Sequence, residues 1–136
     1  MFFFHGWAVI QHTFLGVDLP DADERQRNVI ERVRARIATL DRLNVSYELK
    51  VQNGCANLLA SGCVNHGADS RAREVFDLWR FIAETAPGSF GLLYYRDDEC
   101  EPDVHRVQVL RRGTVEERND PFLSPIVPTV EDQYEG

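Results

Sequence analysis

The chain has 136 residues, 43% hydrophobic and 27% charged, which fits one globular domain with a single core and excludes a largely disordered chain. Acidic residues number 22 against 15 basic ones, a net charge of −7. That balance argues against direct nucleic-acid binding, which rests on cationic contacts to phosphate, and leaves room for a basic protein partner.

The apolar start, Met1 to Ile10, is interrupted by His5, Gly6 and Trp7. It is too short to span a bilayer, and it lacks the basic flank and small-residue cleavage site of a signal peptide, so no membrane association is expected. Cys55, Cys63 and Cys100 form no CxxC pair and leave one unpaired in any disulfide scheme. Free thiols in a reducing cytoplasm are the expectation.

Phe2 to Thr13 reads as a strand. Phe3, His5, Trp7 and Val9 share one face; Phe2, Phe4, Ala8 and Ile10 share the other. Both faces are largely apolar, so the strand should be covered on both sides, with His5 a hydrogen-bonded core histidine. Asp18 to Asp23, with Pro20, carries helix-start chemistry. A helix is predicted from there to about Leu43, because Val29, Val33, Ile37 and Leu40 recur at helical spacing.

Tyr47 to Gln52 alternates as a half-buried strand. Asn53-Gly54 is a strong hairpin signal, since both residues tolerate positive φ, and Cys55 to Asn65 returns, with Gly62 marking an expected bulge. Asp69 or Ser70 should cap a second helix that ends before Pro87-Gly88. Its stripe is Val75, Leu78, Trp79, Ile82, Ala83 and Ala86. Phe81 falls on the polar side, to be covered by a loop or tail or used by a partner. Ser89 to Arg96 is again apolar on both faces. Asp97 to Asp103 is an acidic turn, Val104 to Arg112 a further strand, and Thr114 to Arg118, beyond Gly113, reads as one more short strand outside the five-strand count.

The last stretch, Asn119 to Asp132, holds Pro121, Pro125 and Pro128, which rule out a helix interior or a central strand. It is also too apolar for a solvated tail. A proline-stiffened strap over residues 119–136 is expected to lie on the body, with Phe122 and Leu123 as its anchors. The reading is an α+β domain in β-α-β-β-α-β-β order: about five largely antiparallel strands with two helices on one face. The first six elements fit the split β-α-β pattern of ferredoxin-like folds.

Chemistry is sparse. His5, His12, His66 and His105 form no metal-binding pair, and Cys55, Cys63 and His66 lack a zinc spacing. There is no phosphate loop, GxSxG elbow or dinucleotide fingerprint. No catalytic residue, metal or cofactor is therefore assigned. The sharpest charge feature is Asp97, Asp98, Glu99, Glu101 and Asp103. As a solvated hairpin tip it would do nothing, and as an electrostatic dock it would receive a cationic partner. With Phe81, these five residues are the candidate partner-binding set.

Several stretches together resemble the immunity protein 7 family of bacterial polymorphic toxin systems. They are Phe4-His5-Gly6-Trp7-Ala8, Pro87-Gly88-Ser89-Phe90-Gly91-Leu92-Leu93-Tyr94, Arg96-Asp97-Asp98-Glu99, Leu110-Arg111-Arg112-Gly113, Asp120-Pro121-Phe122-Leu123-Ser124-Pro125, and Glu131-Asp132. Arg118-Asn119 stands where an aromatic residue would be expected before the DPFLSP segment. The resemblance implies a cytoplasmic protein that binds and blocks a cognate toxin domain by occupancy, with no catalysis. If the toxin were a nuclease, its basic cleft would suit an acidic inhibitor. A monomer or a weak homodimer is compatible with the two-faced apolar strands. The competing readings are a regulatory interaction module of similar fold and a small enzyme using Cys55 or Cys100 with a histidine.

Overall fold

A computed structural model describes residues 1–13 and 20–134. Strand β1 (Phe2–Ile10) is the spine of a six-stranded sheet, with β3 (Cys55–Val64) on one side and β4 (Phe90–Asp97) on the other. Outside β3 lies β2 (Val45–Gln52), and outside β4 lie β5 (Arg106–Arg111) and β6 (Thr114–Asn119). The order is β2-β3-β1-β4-β5-β6 and every neighbouring pair is antiparallel. Helices α1 (Ala22–Ala38) and α2 (Ser70–Thr85) supply the two crossovers, and α3 (Ile126–Thr129) is a short turn with non-helical backbone at Val127 and Pro128. The first six elements thus have the split β-α-β arrangement, and β5 and β6 widen it as a meander.

Six strands replace the expected five because Thr114–Asn119 pairs with β5 along its whole length. Its turn is Arg112-Gly113, at φ 50 and φ 74, the same doubly left-handed geometry as Asn53-Gly54 at φ 51 and φ 76. Glycine in the second position is what makes both turns cheap.

The alternation of β1 decides the layers. Phe2, Phe4, Ala8 and Ile10 turn inward and join Leu58, Ala60 and Leu93 in the core. Helix α1 closes it with Val33 and Ile37, and α2 with Val75, Leu78, Trp79 and Ile82. Burying one such side chain contributes roughly 1.5–3 kcal/mol. Trp79 sits over Gly6, where an added Cβ would meet its ring at 3.0 Å and Leu93 at 2.8 Å. Gly62 makes no bulge, contrary to expectation. Its pairing with Phe4 and Val45 is in continuous register, and a Cβ there would come within 2.5 Å of Val45 and 2.7 Å of the Phe4 ring. The glycine is there to admit a neighbouring aromatic ring.

Helix α1 stops at Ala38, short of the predicted Leu43. Leu40 still packs against the core, which satisfies the apolar spacing without another helical turn. Leu43 N–H then bonds the Asp41 carboxylate at 3.0 Å, and Asn44 takes φ 63. Asp18 lies outside the described residues. Helix α2 starts as expected: the Asp69 carboxylate accepts the Arg71 N–H at 2.8 Å and two guanidinium bonds from the same residue. These bonds lower the Asp69 pKa to about 2.

Candidate functional site

Helices cover only one face of the sheet. The other face presents Phe3, His5 and Trp7 from β1, Leu59 from β3, Phe90, Leu92 and Tyr94 from β4, and Val109 from β5, all in register across the strands. Full cover was expected for β1 and β4, yet Trp7 is 40% exposed, Leu59 50% and Phe90 43%. Trp7 and Phe90 meet edge to face at 6.2 Å. His5, expected in the core, is exposed on this face. Pairing and helix packing are both satisfied without burying these side chains, so alternation of apolar residues on the second face does not by itself bring a covering layer.

Two depressions run along this face. One, about 400 Å³, is lined by His5, Trp7, Glu48, Leu59, Ser61 and Tyr94 among others. The second, about 470 Å³, is lined by Phe3, His5, Tyr94, His105, Phe122 and Leu123 among others. They share His5 and Tyr94, so they form one trough.

The proline-rich segment builds one wall of that trough. Asp120 N–H bonds the His105 carbonyl at 2.9 Å, and the Asp120 carboxylate accepts the Leu123 N–H at 2.7 Å. Ser124 Oγ accepts the His105 N–H at 2.9 Å. Ile126 N–H bonds the Asp103 carbonyl at 2.9 Å. The peptides before Pro125 and Pro128 are cis. These bonds engage the His105 backbone and explain why β5 starts at Arg106 rather than Val104. The expected anchors are corrected: Phe122 is 77% and Leu123 44% exposed, while Ile126 is 1% exposed. His105 is the buried histidine, packed edge-on against Phe3 at 5.8 Å.

The acidic turn lies where β1 begins and β4 ends, and its carboxylates are partnered. Asp98 and Glu99 hold the Met1 ammonium at 2.7 and 3.4 Å, and Glu99 also meets His66 at 2.6 Å. Glu101 grips Arg106 with two bonds, at 2.8 and 2.6 Å. The Asp97 carboxylate accepts the Glu99 N–H at 3.2 Å, and that of Asp103 accepts the Val127 N–H at 3.2 Å. Arg96 adds Glu131 at 3.0 Å. Hydrogen bonds from the ammonium, from His66 and from Arg106 lower the pKa values of Asp98, Glu99 and Glu101, respectively. The cluster therefore holds its own end of the molecule together.

Phe81 lies in the helix layer, apart from this turn. It is half-buried against the core, beneath the guanidinium of Arg36 at 5.0 Å, with Arg32 at 6.0 Å. A charged side chain of α1 covers it, rather than a loop or tail. Cys55 is half-buried, and Cys63 and Cys100 are exposed. Among the described residues none of the three hydrogen-bonds a histidine, and no group of three or more His, Cys, Asp or Glu could hold a metal ion.

The family model for Immunity protein 7 matches residues 1–132. The chain belongs to that family. No curated protein and no solved structure gives a match. The motifs that resemble the immunity protein 7 family divide by their surroundings. Gly6 seats Trp79, and Gly91 lies so close to the Trp7 carbonyl and Ala8 Cα that a Cβ would strike backbone. Asp120 and Ser124 fasten the last segment. Trp7 and Phe90 are instead partly exposed and Phe122 largely exposed. Sequence reasoning missed the trough because it expected the second face to be covered; the signal was the pair of strands apolar on both sides.

Proposed function

We propose that this chain neutralises a cognate polymorphic-toxin domain in the cytoplasm by binding it directly and occluding it, without turnover. Membership of the immunity protein 7 family carries this reading. Two features support it. The molecule is acidic, with a net charge of −7, which suits a basic partner such as a nuclease domain. It also exposes aromatic side chains on a sheet that hydrogen bonding holds rigid, a surface that loses little conformational entropy when it docks.

The test is co-expression with the toxin domain encoded directly upstream. The chain should restore growth and co-purify with that domain at a fixed ratio. Unrelieved toxicity with no complex would overturn the proposal. Rescue by catalytic trace amounts of the chain, without a complex, would replace occlusion with turnover.

A further inference from the structure

The helices cover most of one side of the sheet and leave there a depression of about 530 Å³ between α2 and β5–β6, lined by Arg80, Glu84, Gln108 and Glu117 among others, whereas the opposite side holds a trough of partly exposed aromatic and aliphatic side chains. We infer that this trough is the toxin-docking surface, and that it receives an apolar toxin side chain flanked by lysine or arginine. The inference rests on the proposed immunity function.

Three observations set the partner's chemistry. First, the floor is largely apolar: Leu59, Trp7 and Leu92 lie side by side across three strands, Tyr94 lies beside His5 two residues along, and exposed Phe122 stands on the wall. Aromatic residues fixed in a pocket of this kind carry most of the energy in protein interfaces. Second, the end beside Phe3 is acidic beyond its own pairing. Among the described residues, Asp97, Asp98, Glu99, Glu101 and Asp103 of the acidic turn, with Glu131, outnumber the groups that meet them, the Met1 ammonium, His66, Arg96 and Arg106; Glu131 holds Arg96, which is in register with Phe3, whereas Asp97 and Glu101 lie on the helix side near Phe2 and Phe76. Partnering within the turn fixes these carboxylates in place and leaves a net negative field at that rim, which speeds encounter with a cation and orients it.

Third, the face offers little to a second copy of itself. Its cations are already matched within the sheet: Lys50 by Glu48 at 3.1 Å, and Arg111 and Arg118 both by Glu116, at 3.5 and 2.8 Å. A copy laid face to face would bring an acidic end without a free cation to meet it. A basic toxin surface has no such conflict. In this arrangement the trough supplies residence time and the acidic rim supplies encounter rate.

The experiment uses the intact chain and the catalytically inactivated upstream toxin domain as the probe, with binding kinetics measured at two salt concentrations. Leu59→Lys and Phe90→Lys, both at exposed positions, should each weaken binding by about 30-fold or more, mainly through faster dissociation. The combined variant Asp98→Asn, Glu99→Gln, Glu131→Gln should slow association about 5-fold and flatten its salt dependence. Glu84→Lys, on the helix layer, should bind as the wild type does. Melting curves confirm that each variant is folded.

If the wild type binds and both lysine variants bind equally well, the docking assignment is overturned while the immunity reading stands. A wild type that neither binds nor protects takes down both. If Leu59→Lys instead breaks a dimer seen in sedimentation and leaves toxin binding intact, the trough is a self-association surface and the inference fails.

Discussion

Replacing Ile126 by alanine separates two accounts of how the last segment is held. Phe122 and Leu123 are the larger apolar residues of the DPFLSP stretch, but they face solvent, whereas Ile126 is 1% exposed. Alanine deletes roughly three buried carbons at about 0.8 kcal/mol each, and adds a cavity cost if the site does not collapse. Ile126 sits outside the main core cluster, so its surroundings can relax, and the total should stay near 2–3 kcal/mol, about the low end for such changes. For a chain of this length the unfolding entropy is on the order of 0.29 kcal/mol/K, so the melting temperature should fall by about 7–10 °C. Phe122→Ser should move it by less than about 2 °C, as expected for an exposed side chain. Circular dichroism at two wavelengths reads both and checks that unfolding is a single transition. Equal losses from the two variants, or a neutral Ile126→Ala, would refute the assignment of the anchor.

Gly6→Ala should cost about 1–3 kcal/mol in urea titrations, because its Cβ meets the Trp79 ring and Leu93 in a packed core; a variant as stable as the wild type would mean that α2 can shift without loss. Asp69→Ala should lower the melting temperature by about 3 °C through loss of the α2 cap. The Asp69 pKa is lowered from 3.8 to about 2, so its contribution is complete above the unfolded value and disappears as pH falls through the folded one. The stability gap between wild type and variant should therefore narrow as pH falls below about 4 and close only below the folded value, by about pH 1, and a gap that keeps its full size down to that pH would contradict the role of the ionised carboxylate. Phe81→Ala should destabilise the chain and leave toxin affinity unchanged, since the ring is enclosed by Arg36 and the core; lost affinity in a fully stable variant would return Phe81 to the interface.

The fold was legible where a single physical signal dominated. Period-2 alternation placed β2, the Asn53-Gly54 turn placed the first hairpin, and Asp69 placed the start of α2. The misses share a cause: an apolar residue reports that it contacts something, but not in which element. Leu40 extended the predicted α1 although it packs from beyond the helix end. Val104 and His105 extended the predicted β5, although the His105 backbone bonds Asp120 and Ser124. Gly62 looked like a bulge because its reason, the ring of Phe4 lying against it, is more than fifty residues away in sequence. Of the candidate site, the acidic turn was visible in the sequence and its pairing with Met1 and His66 was not, because these residues are more than thirty positions away and are brought to the turn by the strand pairing of β1 with β3 and β4.

The acidity itself is unevenly placed, and this bears on how the surface would be used. Residues 1–96 hold eleven carboxylates and eleven cationic side chains, whereas residues 97–136 hold eleven carboxylates and four arginines. The whole net charge thus belongs to the part of the chain that begins with the acidic turn and includes the segment walling the trough. A uniformly acidic protein would attract a basic partner from every side, and most encounters would be unproductive. On the proposed docking, the carboxylates of the acidic turn and Glu131, which pairs with Arg96 in register with Phe3, would bias encounters toward the end where Phe3, Tyr94 and Phe122 meet, over a Debye length of about 8 Å at physiological salt. The pairing that stiffens the turn and the excess that charges it then work together. On the proposed docking, fixed carboxylates would need no reorganisation when a cation arrives, and the aromatic floor of the trough would already be in position to hold what the charge has steered in.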